Sequence, residues 1–237
     1  MASYSKRSYG ARLGSAHELL TYISGFENFS PTKPEDSIES MKTLIDELLA
    51  VNSTVVSNNE SYKTAVDIRA NAFNNSENSV QKLLIQIKAA VESQYDKKST
   101  EATVLNRIIK RMRAVKVKKS SGDPSTEEGE KAANRSNKSY GTKTQFFNDI
   151  VTTLEKFKEY QTSNERVKVP VLRETALKLA LFNAEVAKTM LDSKTAGDQR
   201  RIKFEELRVR SVRIKTYVKG QYGIDSKEYA LIKGLQF

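Results

Sequence analysis

The segment Ile87–Glu101 returns later in the chain as Ile214–Glu228, at a constant offset of 127 residues (214 − 87). The matched positions are Ile87/Ile214, Lys88/Lys215, Val91/Val218, Gln94/Gln221, Tyr95/Tyr222, Ser99/Ser226 and Glu101/Glu228. A second motif, Lys63-Thr-Ala-Val-Asp-Ile-Arg69, returns as Lys194-Thr-Ala-Gly-Asp-Gln-Arg200 at an offset of 131 (194 − 63). That register extends upstream through Leu48/Leu179, Asn52/Asn183 and Val55/Val186, and sets Phe26-Glu-Asn-Phe29 opposite Phe157-Lys-Glu-Tyr160. A fixed-period self-similarity constrains architecture more than any local motif, because one supersecondary unit is being used twice. The offset falls by four between the motifs, and the best place for four extra residues in the first copy is Asn74–Ser79. Four residues are close to one helical turn, so such an insertion nearly preserves the face that a helix presents.

The apolar spacing is helical in both copies. Leu19, Leu20, Ile23 and Phe26 form the stripe of a first helix from about Ser15, which Pro31 and Pro34 end. Met41, Leu44, Ile45, Leu48, Leu49 and Val55 mark a second helix from about Ser37. In the second copy Phe146, Phe147, Ile150, Val151, Leu154 and Phe157 mark the first helix, from about Thr144, and the second covers 171–191. Thr64-x-x-Asp67 and Thr195-x-x-Asp198 resemble capping boxes with Asp in place of Glu, which predicts that a third helix restarts at each; the alternative is a helix running unbroken through the motif, which Glu60 and Met190-Leu191 do not forbid. Asp67/Arg69 and Asp198/Arg200, two residues apart on a helix, point to different sides and are read as structural ion pairs between elements.

The repeated 87–101 and 214–228 segments read as helix end, corner and new cap. Gly220 and Gly223 suit a left-handed closure, while Ser93 and Asp96 at those positions predict a tighter or more helical turn. Ser99 and Ser226 are N-cap candidates for a short fourth helix, with Glu101 and Glu228 in its first turn. Tyr95 and Tyr222 occupy the corner, where a ring buried with its hydroxyl on backbone is expected.

The resulting expectation is an all-α fold: a tandem duplication of a helical-bundle unit, three longer helices and one short helix per copy, with pseudo-twofold pairing. Residues 1–14 read as a basic N-terminal arm, 15–113 as the first copy, 114–143 as a basic and polar linker, and 144–237 as the second copy. Only 4 Pro and 10 Gly, with 29% charged residues, suit long helices with charged outer faces. No uninterrupted apolar run reaches the length of a membrane span and no apolar leader follows Met1, so a cytoplasmic chain or one incorporated into a larger assembly is expected.

The residues offer little chemistry. There is no Cys, and His17 is the single histidine, which removes thiolate metal sites, cysteine nucleophiles and His-rich relays. Phosphate-binding loops, zinc-protease, nucleophile-elbow and calcium-loop signatures are all missing. No catalytic, cofactor-binding or metal-ligating residue is assigned, and the neighbouring Glu205 and Glu206 read as a solvated helix face. The formal net charge of +11 concerns partners rather than fold. Two basic stretches carry it visibly, and Arg107, Lys110, Arg111, Arg113, Arg208, Arg210 and Arg213 are the candidate anion or partner contacts. The expectation is a non-enzymatic structural or assembly protein that joins copies of itself or other subunits through helix faces and basic segments. The alternative is a basic, sequence-independent nucleic-acid-binding protein.

Overall fold

Thr64 and Thr195 do not start helices. In the computed structural model, which describes residues 8–113 and 139–237, one helix (α2) runs unbroken over Ile38–Ala70 and another (α6) over Val169–Tyr222. The expected second and third helices are therefore one rod, α6, in the second half, while in the first half α2 runs through the expected restart and ends only at Ala70; Thr64, Asp67, Thr195 and Asp198 are exposed on the sides of these helices. The physical reason is that a cap needs a preceding residue that has left helical geometry. Nothing forces that here: α2 contains neither Pro nor Gly, and Gly197, the one glycine within the α6 motif, costs only about 1 kcal/mol against Ala. Ala65 and Ala196, both buried, carry the packing through the motif.

Seven α-helices are present among the described residues, with no strand. Besides α2 and α6 they are α1 (Tyr9–Ser24), α3 (Val80–Tyr95), α4 (Thr100–Arg113), α5 (Tyr140–Lys156) and α7 (Lys227–Ile232). None is long and apolar enough to cross a membrane. α1 and α5 begin earlier than their apolar stripes indicate, because the caps lie upstream of the stripes. Ser8 Oγ accepts from the Ala11 N–H at 3.2 Å, and Ser139 Oγ from the Thr142 N–H at 3.1 Å. Residues 9–14 of the expected arm and 140–143 of the expected linker are therefore helical, while 1–7 and 114–138 lie outside the described residues.

The four-residue difference falls where the offset places it. After Ala70 the backbone widens into a π-helical turn over Asn71–Asn75, the Ser76 N–H donates to the Asn71 carbonyl at 3.0 Å, and α3 starts anew at Val80. The matching part of α6 has no interruption. At the corner after α3 and α6, Asp96 takes φ 71 and Gly223 takes φ 101. Both corner residues thus take a positive φ, and Asp96 does so with ψ 151, outside the left-handed helical region and strained for a residue with a side chain. Gly220 stays inside α6. Ser99 and Ser226 act as the predicted caps, accepting from Ala102 N and Tyr229 N, each at 3.0 Å. The helices that follow are unequal: α7 has 6 residues, whereas α4 has 14 and is not the short helix expected.

Two compact units result, and each draws on both halves of the sequence. One takes residues up to Tyr62 together with Thr189–Phe237, and the other takes Lys63–Lys188. The boundaries fall inside α2 and α6, so compactness does not follow the sequential segments 15–113 and 144–237. The first unit buries Leu19 and Ile23 of α1 and Met41, Leu44 and Leu48 of α2 with Phe204, Leu207, Ile214 and Val218 of α6. The second buries Leu84, Ile87 and Val91 of α3 and Leu105 and Ile109 of α4 with Phe147, Ile150 and Leu154 of α5 and Leu172 and Leu179 of α6.

Candidate interaction surfaces

The positions shared by the repeated corner segments are packing joints. In the first unit the Tyr222 hydroxyl donates to the Glu27 carbonyl at 2.7 Å and its ring lies 5.7 Å from Phe26. In the second unit Tyr95 donates to the Lys158 carbonyl at 2.7 Å, with its ring 5.8 Å from Phe157. The hydroxyls are on backbone, as expected, but the rings are half-buried rather than buried. Burial raises the pKa of both phenols above the ordinary tyrosine value. Tyr222→Ala and Tyr95→Ala are each expected to cost about 2 kcal/mol, from partial loss of ring burial and of one hydrogen bond. Chemical denaturation of the two variants measures this, and unchanged midpoints would contradict it.

Arg69 and Arg200 do not form the expected ion pairs with their neighbouring aspartates. Their guanidinium groups lie over tyrosine rings: Arg200 is 4.1 Å from the Tyr9 centroid, and Arg69 is 4.3 Å from that of Tyr140. Each tyrosine in turn packs on a buried phenylalanine, Tyr9 on Phe204 at 4.7 Å and Tyr140 on Phe73 at 4.9 Å. An arginine two positions from the aspartate points to another side of the helix, and the ring is the surface it meets.

A further tyrosine supplies a titration signature. Tyr160 donates to the Val167 carbonyl at 3.2 Å, and burial, followed by the nearby Tyr95, pushes its pKa from 10.0 up to about 12. A phenol whose pKa is higher in the folded than in the unfolded state holds its proton longer when folded. Its contribution is therefore complete below pH ~10 and is lost as pH rises towards ~12. Alkaline unfolding in that window is expected to shift to higher pH in Tyr160→Phe, read by circular dichroism. An unchanged alkaline midpoint would contradict it.

The two basic stretches have different fates. On α6, Arg208 is chelated by Glu205, with Nε–Oε2 at 2.9 Å. Arg210 donates to the Glu35 carbonyl at 2.8 Å and to Ser40 Oγ at 2.9 Å, and pairs with Glu206. Arg213 grips Asp36 with both arms, at 2.8 and 2.6 Å, and this hydrogen bonding holds the guanidinium pKa above its usual value. The Asp36 side chain is only 5% exposed. Arg210 and Arg213, both partly exposed, are thus committed to partners within the first unit, and Glu205 and Glu206 are salt-bridged. Sequence reading missed Glu35 and Asp36, whose only signal was acidity just after Pro34.

On α4, by contrast, Arg107, Lys110, Arg111 and Arg113 are all exposed, and none enters an ion pair among the described residues. Arg111 leans over Phe146 at 5.6 Å. A third surface is apolar. Leu191, Ile202 and Val209 of α6 are 64%, 60% and 40% exposed in the first unit, and Leu177 and Leu181 are 64% and 67% exposed in the second. Leu177 also edges a groove of about 270 Å³ between α5 and α6, lined by Thr144, Asn148, Arg173 and Ala180 among others. Comparison of the chain with family models, with curated proteins and with solved structures gave no match in any of the three.

Proposed function

We propose that the protein is a non-enzymatic structural subunit that joins to further copies of itself through the outer face of α6. The observation that carries this reading is the alignment of exposed apolar residues on that helix. Leu191, Ile202 and Val209 are 11 and 7 residues apart, close to whole numbers of helical turns, so they share one face of α6. Single exposed apolar residues are ordinary on a soluble surface, but three large ones recurring on one face, with the exposed Thr195, Asp198 and Glu205 between them, fit helix-to-helix docking through apolar anchors among polar contacts. The tandem duplication and pseudo-twofold pairing belong to the same proposal: a half that once paired with a second copy of itself explains why each compact unit takes helices from both halves.

Light scattering at increasing concentration, with negative-stain microscopy, tests the reading. Oligomers or particles are expected, and Leu191→Glu/Ile202→Glu is expected to disperse them without lowering the melting temperature, since both side chains already face solvent. A strict monomer at high concentration with no particles would overturn the proposal.

A further inference from the structure

The positive charge of the chain is unevenly divided. Among the described residues, the unit drawn from Lys63–Lys188 holds 18 Lys and Arg against 11 Asp and Glu, whereas the other unit holds 14 against 14. The balanced unit also spends its cations internally. Lys203 bonds Glu47 at 2.7 Å, Arg208 holds Glu205, Arg210 holds Glu206, and Arg213 holds Asp36. The basic unit has no equivalent arrangement on α4. Arg107, Lys110 and Arg111 are spaced by three and four residues, so they lie on one side of that helix, opposite the buried Leu105, Ile109 and Met112.

Part of this has a plain structural reason. Lys110, Arg111 and Arg113 occupy the last turn of α4, where cations offset the helix dipole. The dipole effect fades within the last turn, however, and does not account for Arg107 on the same side.

The chemistry of the surface narrows the partner. A membrane-surface helix sets large apolar residues beside its cations, and a protein interface has an apolar centre. No large hydrophobic residue of α4 is exposed. What remains is a cationic surface led by arginines, whose forked donors match phosphate oxygens. We infer that this face of α4 binds the phosphate backbone of nucleic acid without reading its sequence.

The test uses the full-length protein and a labelled, random-sequence DNA duplex, with anisotropy followed as salt is raised. Three phosphate contacts predict that binding weakens with a log–log slope steeper by about 3 than that of a variant lacking them. Arg107→Gln/Lys110→Gln/Arg111→Gln is therefore expected to bind at least about tenfold more weakly at low salt and with the shallower slope. Lys219→Gln/Lys227→Gln/Lys233→Gln removes the same charge from exposed positions of the balanced unit and is expected to bind nearly as the parent does. Arg107→Lys/Arg111→Lys, which keeps the charge, is expected to retain most of the binding. No binding at low salt would overturn the inference. So would equal losses in the two glutamine variants, which would mean net charge alone. Loss confined to a Lys116/Lys118/Lys119→Gln variant would place the contact elsewhere and also overturn it. Tighter capture by anionic lipid vesicles than by the duplex, through the same three residues, would overturn it in favour of a membrane surface.

Discussion

Phe204→Ala is expected to destabilise the protein by about 4 kcal/mol, the upper part of the range for emptying a buried aromatic site. Phe204 is fully buried in the first unit and carries three separate attachments of α1. Its ring packs on Tyr9, the Arg12 guanidinium lies over it at 4.9 Å, and its carbonyl accepts from Arg12 Nη2 at 2.8 Å. The last of these survives truncation to Ala, because it uses backbone, but the ring that orients Tyr9 and Arg12 does not. Removing the ring should therefore leave both a cavity and a loosened start of α1. Urea denaturation gives the energy, and amide exchange at the start of α1 reads the loosening. A loss below about 1 kcal/mol would mean that α1 is not seated on Phe204.

The second large effect is expected at Asp36. Its carboxylate is almost enclosed and is held by two guanidinium bonds from Arg213, 177 residues away in sequence. Removing one partner of a buried pair leaves the other charge uncompensated, so Asp36→Ala is expected to cost about 3 kcal/mol, at the low end of such losses because Arg213 is partly exposed. The chain itself indicates how the pair can be replaced. In the repeat register Asp36 corresponds to Val167 (36 + 131) and Arg213 to Gln86 (213 − 127), and Val167 is fully buried. The double variant Asp36→Val/Arg213→Gln should therefore recover most of the loss that Asp36→Ala alone produces. If the double variant is as unstable as the single one, the ionic clamp and the apolar contact are not alternatives at one position.

The same pair shows what the sequence makes legible. Apolar spacing identified core positions such as Leu19, Ile23, Leu44, Phe147 and Leu154, because burial on a helix face leaves a local period. The Ser99 and Ser226 caps and the tyrosine hydroxyls on backbone were also readable, since each depends on residues a few positions away or on a ring at a corner. Thr64-x-x-Asp67 misled because a capping box looks the same in mid-helix when nothing upstream breaks the ladder. The seven basic candidates looked alike in composition. What separates Arg213 from Arg107 is the presence of Asp36 beside one and of no acid paired with the other among the described residues, and that depends on which helices meet. Both halves of the sequence carry equivalent apolar stripes, so neither stripe encodes whether it packs within its own half or against the other.

That choice is the centre of the account, and cutting the chain tests it directly. A specific protease site introduced within residues 114–138 divides the protein into two pieces, and each compact unit takes helices from both. After complete cleavage, gel filtration under native conditions should return both pieces in one peak, parting only in denaturant. Two separate, folded pieces under native conditions would contradict the exchanged packing and restore two sequential bundles.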